Sequence, residues 1–310
     1  MITRADIEAA ADRIAGHIRH TPVMDLESGA LGLDFPIELK LEHLQVTGSF
    51  KVRGAFNNLL AADIPAAGVV AASGGNHGAA VAYAATKLGV KSVIYVPAAI
   101  AKEEKLARMR GFGAEVILAE GSVADVMTAY AAHAARSGAL AVHPYDTAPT
   151  VIGQGTVARE IEVQMQGIDT VMIAVGGGGL IGGVAAWFGD RVNVVSVETE
   201  GTNTLALSMV QGPDIEVAAT GISAGSLGGP ALGHLPYQIV MERVKTSIVL
   251  TDEDVFEAQR RLWAGTRLVV EPGAATALAA LTSGAYVPAK GERVAVLLCG
   301  GNAEPNWFVA

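Results

Sequence analysis

One lysine of this chain stands in an apolar, glycine-flanked segment, Thr47-Gly48-Ser49-Phe50-Lys51-Val52-Arg53-Gly54-Ala55. Desolvating an ammonium is costly, so a lysine in such a setting is pushed toward its neutral amine. That amine is a nucleophile and forms Schiff bases with carbonyl compounds. The segment also reads as an ordinary helix start, with the lysine stem covering apolar surface and its charge in water. On local composition the plainer reading leads. Three other segments reverse the order.

Val171 to Gly183 reads as strand, then Gly176-Gly177-Gly178-Gly179, then helix. Glycines let the backbone approach a ligand closely, and the helix start adds positive potential, so a phosphate is the natural guest. Such runs also serve tight packing. The run lies mid-chain and lacks the spaced G-x-G-x-x-G form, which argues against a dinucleotide; Glu198, about 20 residues on, keeps a nicotinamide spacing open. Ser73-Gly74-Gly75-Asn76-His77 is a second strand-to-helix turn, suited either to a carboxylate or to capping by Ser73 or Asn76. Cys299-Gly300-Gly301-Asn302 follows the last apolar strand, at the strand edge where α/β ligands sit; a cysteine there is also an ordinary small core residue. The seven histidines show no metal spacing, and His17 and His20, three apart on an expected N-terminal helix, read as surface residues.

The elements that must carry these turns follow from periodicity. Short β-branched runs alternate with alanine-rich helical stretches, the pattern of βα units and parallel sheets. Strands are expected at 69–72, 92–96, 115–118 and 139–143, then at 171–175, 192–197, 247–250 and 294–298. The N-terminal helix over about 4–19 and a strand near 38–41 group with the second set, so a smaller lobe is inserted in a larger one. Thr251 and Asp254 read as the cap of a helix running to about Arg267, and residues 201–235, rich in Gly, Ser and Pro, as irregular. The chain has 310 residues, 51% hydrophobic and 17% charged, enough for two lobes. Net charge is −9 with no basic run, which argues against nucleic acid and anionic membrane surfaces. Thr170 to Gly189 is uncharged, but its seven glycines suit a strand, loop and buried helix better than a membrane span. A single cysteine and a charged N-terminus without a secretory signal lead to the expectation of a cytoplasmic protein.

Taken in order, the Lys51 segment, Ser73 to His77, Gly176 to Leu180, Glu271-Pro272 and Cys299 to Asn302 resemble the fold type II pyridoxal-phosphate enzymes, in the serine/threonine dehydratase and serine racemase branch. The resemblance spans nearly the whole chain. It implies an α/β, two-lobed, tryptophan synthase β-like fold with a mostly parallel sheet in each lobe: a large cofactor-holding domain of residues 1–57 and 146–310, and a small mobile domain of 58–145. It further implies a homodimer acting on a small amino acid.

By the same resemblance, Lys51 would hold pyridoxal 5'-phosphate as a Schiff base and later move the substrate α-proton, with Phe50 beside the pyridine ring. Asn76 would bond the 3′ oxygen, and Gly176, Gly177, Gly178, Gly179 and Leu180 would cradle the phosphate. Ser73, Gly74, Gly75, Asn76 and His77 would meet the substrate carboxylate, chiefly through Ser73, Asn76 and His77. Cys299 would face the pyridine nitrogen with Glu271 behind it; a neutral partner weakens the ring as an electron sink and favours prompt loss of a β-substituent. Serine racemases carry a serine where this chain has Gly74, so racemisation lacks its second proton carrier. The implied activity is dehydration of L-serine or L-threonine to a 2-keto acid and ammonia, with the cofactor phosphate as acid. The alternatives are serine racemisation, β-replacement or dehydration of 3-hydroxyaspartate and, in a different class, a non-catalytic cofactor- or metabolite-binding protein. Metal-dependent relatives place a glutamate at Glu198, but their aspartate falls on Thr204, which argues against a divalent cation. The chain ends at Ala310, soon after the last motif, so no regulatory domain and no feedback control by isoleucine are expected.

Overall fold

The structure, a computed structural model, describes residues 2–121 and 123–303. Residues 304–310 of the expected large domain therefore lie outside the described residues. In chain order the strands are β1 (Val23–Leu26), β2 (Ile37–Lys40), β3 (Val69–Ala72), β4 (Ser92–Pro97), β5 (Glu115–Ala119), β6 (Leu140–Ala141), β7 (Thr170–Ala174), β8 (Asn193–Thr199), β9 (Thr246–Leu250) and β10 (Val294–Leu297). They make two sheets, ordered β1-β2-β10-β7-β8-β9 and β5-β4-β3-β6. Every pairing is parallel except β1 with β2. β10 lies between β2 and β7, with Ala295 opposite Glu38 on one side and Val171 on the other. Its residues and those of β7 are buried throughout, as interior strands covered by helices on both faces must be.

Helix positions are set by close backbone contacts. The helix Ala148–Gln164 carries Gly153 and Gly155. A Cβ at Gly153 would stand 2.7 Å from the Gly54 Cα of helix Lys51–Leu60, and one at Gly155 2.9 Å from the Gly183 carbonyl of helix Gly179–Phe188. Glycine therefore brings the lysine-bearing helix and the glycine-loop helix against a single central helix. Beneath Lys51 four charges are buried together. Arg53 meets Glu42 at 2.6 Å and Glu160 at 2.8 Å, and Lys40 meets Glu160 at 2.7 Å, so the group carries no net charge.

Three expectations change. The strand expected at 139–143 is only the two residues Leu140–Ala141. The first helix, capped reciprocally by Thr3 and Asp6, ends at Ile14 rather than near Arg19, because Gly16 turns left-handed at φ +82°. His17 and His20 are thus off the helix, and the His17 ring packs on Phe56 at 4.9 Å. The segment expected to be irregular contains the helices Thr204–Gln211 and Ala224–Leu227 and the start of His234–Arg243. The Thr251–Asp254 cap is present as a reciprocal pair. No helix among the described residues is long and apolar enough to cross a membrane.

Candidate active site

The C-terminal edges of both sheets converge on Lys51. Its turn is sewn to the loop after β10: Phe50 N donates to the Cys299 carbonyl at 3.0 Å, Gly301 N to Gly48 O at 2.8 Å, and Ser49 bridges Gly300. Lys51 then opens its helix, partly buried, with Nζ donating to Pro144 O at 3.0 Å and lying 5.1 Å from the Phe50 ring centre. Burial lowers its pKa to about 8, outweighing the opposing influence of Cys299 and Glu271.

After β7 the chain passes through Gly176 to Gly178 into helix Gly179–Phe188. Gly178 is left-handed at φ +85°, and a Cβ at Gly176 would stand 2.8 Å from Leu227 O. A Cβ at Gly177 would overlap the Tyr145 ring. Among the described residues, the backbone N–H groups of Gly176 to Ile181 find no acceptor. Six free donors at a helix start are a ready anion cradle. The Gly176 carbonyl, in turn, accepts from Thr204 Oγ1 at 2.7 Å.

The Ser73 turn ends β3. Gly75 N donates to Ser73 Oγ at 3.2 Å, while the N–H groups of Gly74, Asn76 and His77 have no acceptor among the described residues. The His77 ring is buried, and its Nε2 meets Val142 O at 3.0 Å. Burial, reinforced by Lys51, holds its pKa near 3. A neutral ring that donates through Nε2 leaves only a lone pair on Nδ1, so toward a carboxylate His77 offers its backbone N–H rather than its imidazole. Asn76 Nδ2 donates to the two Glu271 oxygens at 2.8 and 3.1 Å, and Asn76 Oδ1 accepts from Asn302 Nδ2 at 2.6 Å. Burial raises the Glu271 pKa, against the pull of Asn76 and nearby cations. Cys299 is 3% exposed, and burial, helped by Glu271, keeps its thiol protonated.

Glu198 is engaged otherwise than as a metal ligand. Its oxygens accept from Leu205 N and Ala206 N, each at 2.8 Å, capping helix Thr204–Gln211 from outside. Burial lifts its pKa to about 7. Among the described residues no group of three His, Cys, Asp or Glu side chains could hold a metal. Sequence reasoning passed over Tyr145, packed on Gly177 and Gly179, and the joining role of Asn302. Asn302 stood within a motif already singled out; Tyr145 follows a two-residue strand and gave no signal.

Residues 14–300 match the family model described as pyridoxal-phosphate dependent enzyme. The chain is 35% identical over 314 aligned positions to phenylserine dehydratase of Ralstonia pickettii, covering 99% of this chain and 96% of that protein. Among solved structures it resembles the T.th. threonine deaminase (TM-score 0.89, 34% identity, 98% and 99% of the two chains). Maize serine racemase is also similar (TM-score 0.91, 30% identity, 99% and 95% of the two chains). The two sheets, the glycine loop and the lysine turn define a fold type II pyridoxal-phosphate enzyme. This chain belongs to the pyridoxal-phosphate dependent enzyme family. Its own residues fit that cofactor: a dianionic phosphate suits the six free N–H donors, and an aldehyde suits a lysine whose neutral form is accessible near pH 8.

Proposed function

We propose that this protein is an ammonia-lyase that removes water from a β-hydroxy-α-amino acid of the L-serine, L-threonine or L-phenylserine type, giving a 2-keto acid and ammonia. The names of the dehydratase and deaminase relatives support this reading. The observation that carries it is the pairing of Lys51 with a side-chain-free Gly74. One amine serves the substrate carbon, and position 74, where a second proton carrier would stand, has no side chain.

Pyridoxal phosphate, when bound, supplies the electron sink that acidifies the substrate α-carbon. Lys51 Nζ would hold the cofactor, and as a neutral amine it takes the substrate α-proton. Burial makes that state accessible at mild pH. The free N–H groups of Gly176 to Ile181 orient the phosphate end, and Leu180 belongs to that set. Ser73 and the backbone of Gly74 to His77 receive the substrate carboxylate, with Gly75 leaving room for its approach. Phe50 would flank the ring, and Asn76, fixed by Glu271 and Asn302, would lie toward the ring oxygen. Cys299, neutral and buried, would face the ring nitrogen. A neutral partner limits stored charge and favours departure of the β-hydroxyl over reprotonation.

The division into 1–57 with 146–310 and a mobile 58–145 belongs to the same reading. So do a homodimer, the commonest symmetric assembly, and a cytoplasmic setting, in keeping with one buried cysteine. Racemisation is the second reading, favoured by the likeness to maize serine racemase. Purified protein offered L-serine, L-threonine, L-phenylserine and 3-hydroxyaspartate is expected to release keto acid and ammonia in equal amounts. D-isomer accumulating faster than keto acid from every substrate would overturn the assignment.

A further inference from the structure

The carbonyl of Thr47, four residues before Lys51, accepts two hydrogen bonds. Asn302 Nδ2 donates from the loop after β10 at 3.1 Å, and Arg108 Nη2 donates at 2.7 Å from helix Glu103–Gly111, which packs with the smaller sheet. Gly48 makes the meeting possible. It is left-handed at φ +69°; a Cβ there would overlap Asn302 Oδ1 and stand 3.2 Å from Arg108 Nη2. Arg108 is half-buried, yet no carboxylate contacts its guanidinium among the described residues. The Phe112 ring, 5.8 Å from the guanidinium carbon, and the field of Glu271 offset part of its desolvation, and the carbonyl of Thr47 is its close hydrogen-bond acceptor.

Leu106 and Met109 on the same helix are buried in the core around β3 and β4, a core shared with Val52, Phe56 and Leu59 of the Lys51 helix, so Arg108 is anchored on the smaller-sheet side of that core. From Thr47 the polar chain continues through Asn302 to Asn76 and Glu271. Arg108 is thus the member of this chain that belongs to the smaller lobe's outer helix and touches the lysine turn directly.

We propose that Arg108 is a positioning residue. Its hydrogen bond to Thr47 O seats the Lys51 turn when the smaller lobe is docked, so that the Lys51 amine is aligned for proton transfer only in the docked arrangement. The inference rests on the reading of Lys51 as the proton carrier. It assigns Arg108 no contact with substrate or cofactor.

The test uses holoenzyme and the best substrate of the hydroxy amino acid panel. Arg108→Met is expected to lower kcat about tenfold to a hundredfold, the scale on which small misplacements act, with KM within about threefold of the parent. Cofactor absorbance and melting temperature are expected to stay near the parent's, and Arg108→Lys, which keeps a donor, to recover part of the lost kcat. Should Arg108→Met fail to accumulate, Arg108→Gln and Arg108→Lys carry the same comparison. A kcat within twofold of the parent, or a loss confined to KM, overturns the proposal; the latter would make Arg108 a substrate-binding group. An inactive parent instead contradicts the proposed function, so the two failures are distinguishable.

Discussion

Asn76 and Glu271 stand 195 positions apart in the chain, yet the Asn76 amide donates to both oxygens of the Glu271 carboxylate, at 2.8 and 3.1 Å. The pair joins the turn after β3 to the start of helix Pro272–Thr282, against Gly300, where a Cβ would overlap Glu271 Oε1. Asn76→Asp would set a half-buried carboxyl group against the buried Glu271, with a cost of about 2–4 kcal/mol expected from like-charge contact and lost hydrogen bonding. Glu271→Gln removes the repulsion while keeping an acceptor. The double variant is therefore expected to recover at least about 1 kcal/mol relative to the sum of the single ones. Denaturant melts of the four proteins measure this, and strict additivity would show that the two side chains do not act as a pair.

Gly74 is the position at which elimination and racemisation are expected to separate. A Cβ there would lie 3.4 Å from Val96 Cγ1 and 3.5 Å from Ile100 Cδ1, ordinary contacts, so serine fits without displacing its neighbours. Gly74→Ser adds a hydroxyl to the turn and is expected to raise D-isomer formation above that of the parent. Chiral chromatography of the amino acid pool reads the outcome. A folded, cofactor-loaded variant that forms no D-isomer would show that a single added hydroxyl does not create the second proton carrier.

Gly177 faces the opposite test. Its Cβ would overlap the Tyr145 ring, so Gly177→Ala must shift either the ring or the loop carrying the free N–H donors. Affinity for pyridoxal phosphate is expected to fall at least about tenfold, with little change in melting temperature of the cofactor-free protein. Equilibrium dialysis against the cofactor checks it; unchanged affinity would mean that these donors do not hold the phosphate.

The lysine itself has a pH signature. Burial lowers the Lys51 pKa from the ordinary 10.5 to about 8, so the neutral nucleophile is the minor form below that pH and the major form above it. Capture of pyridoxal phosphate by cofactor-free protein is expected to speed up about tenfold per pH unit up to about pH 8 and then level off. A rise continuing to pH 10 would identify an ordinary exposed lysine.

Lys51, the glycine run and the Ser73 turn were legible in the sequence because each is a contiguous segment at a strand–helix junction, where chemistry and local conformation coincide. The parts that were not legible are made by distant partners. The helix Thr204–Gln211 has no side-chain cap of its own and starts where the Glu198 carboxylate, delivered by β8, meets its first N–H groups. The direction of the His77 ring is set by Val142 O, 65 positions away, which leaves its backbone N–H rather than its imidazole free to donate. The ties of Asn302 and Arg108 to Thr47 O depend on both sheets being in place and leave no trace in local composition.

The most direct measurement is borohydride reduction of the loaded protein followed by peptide mapping. The expected result is one pyridoxyl group per chain, on the peptide containing Lys51, with neither that mass nor keto-acid release in Lys51→Ala. A pyridoxyl group on any other lysine, or full turnover by folded Lys51→Ala, would contradict the role given to Lys51 and the elimination built on it.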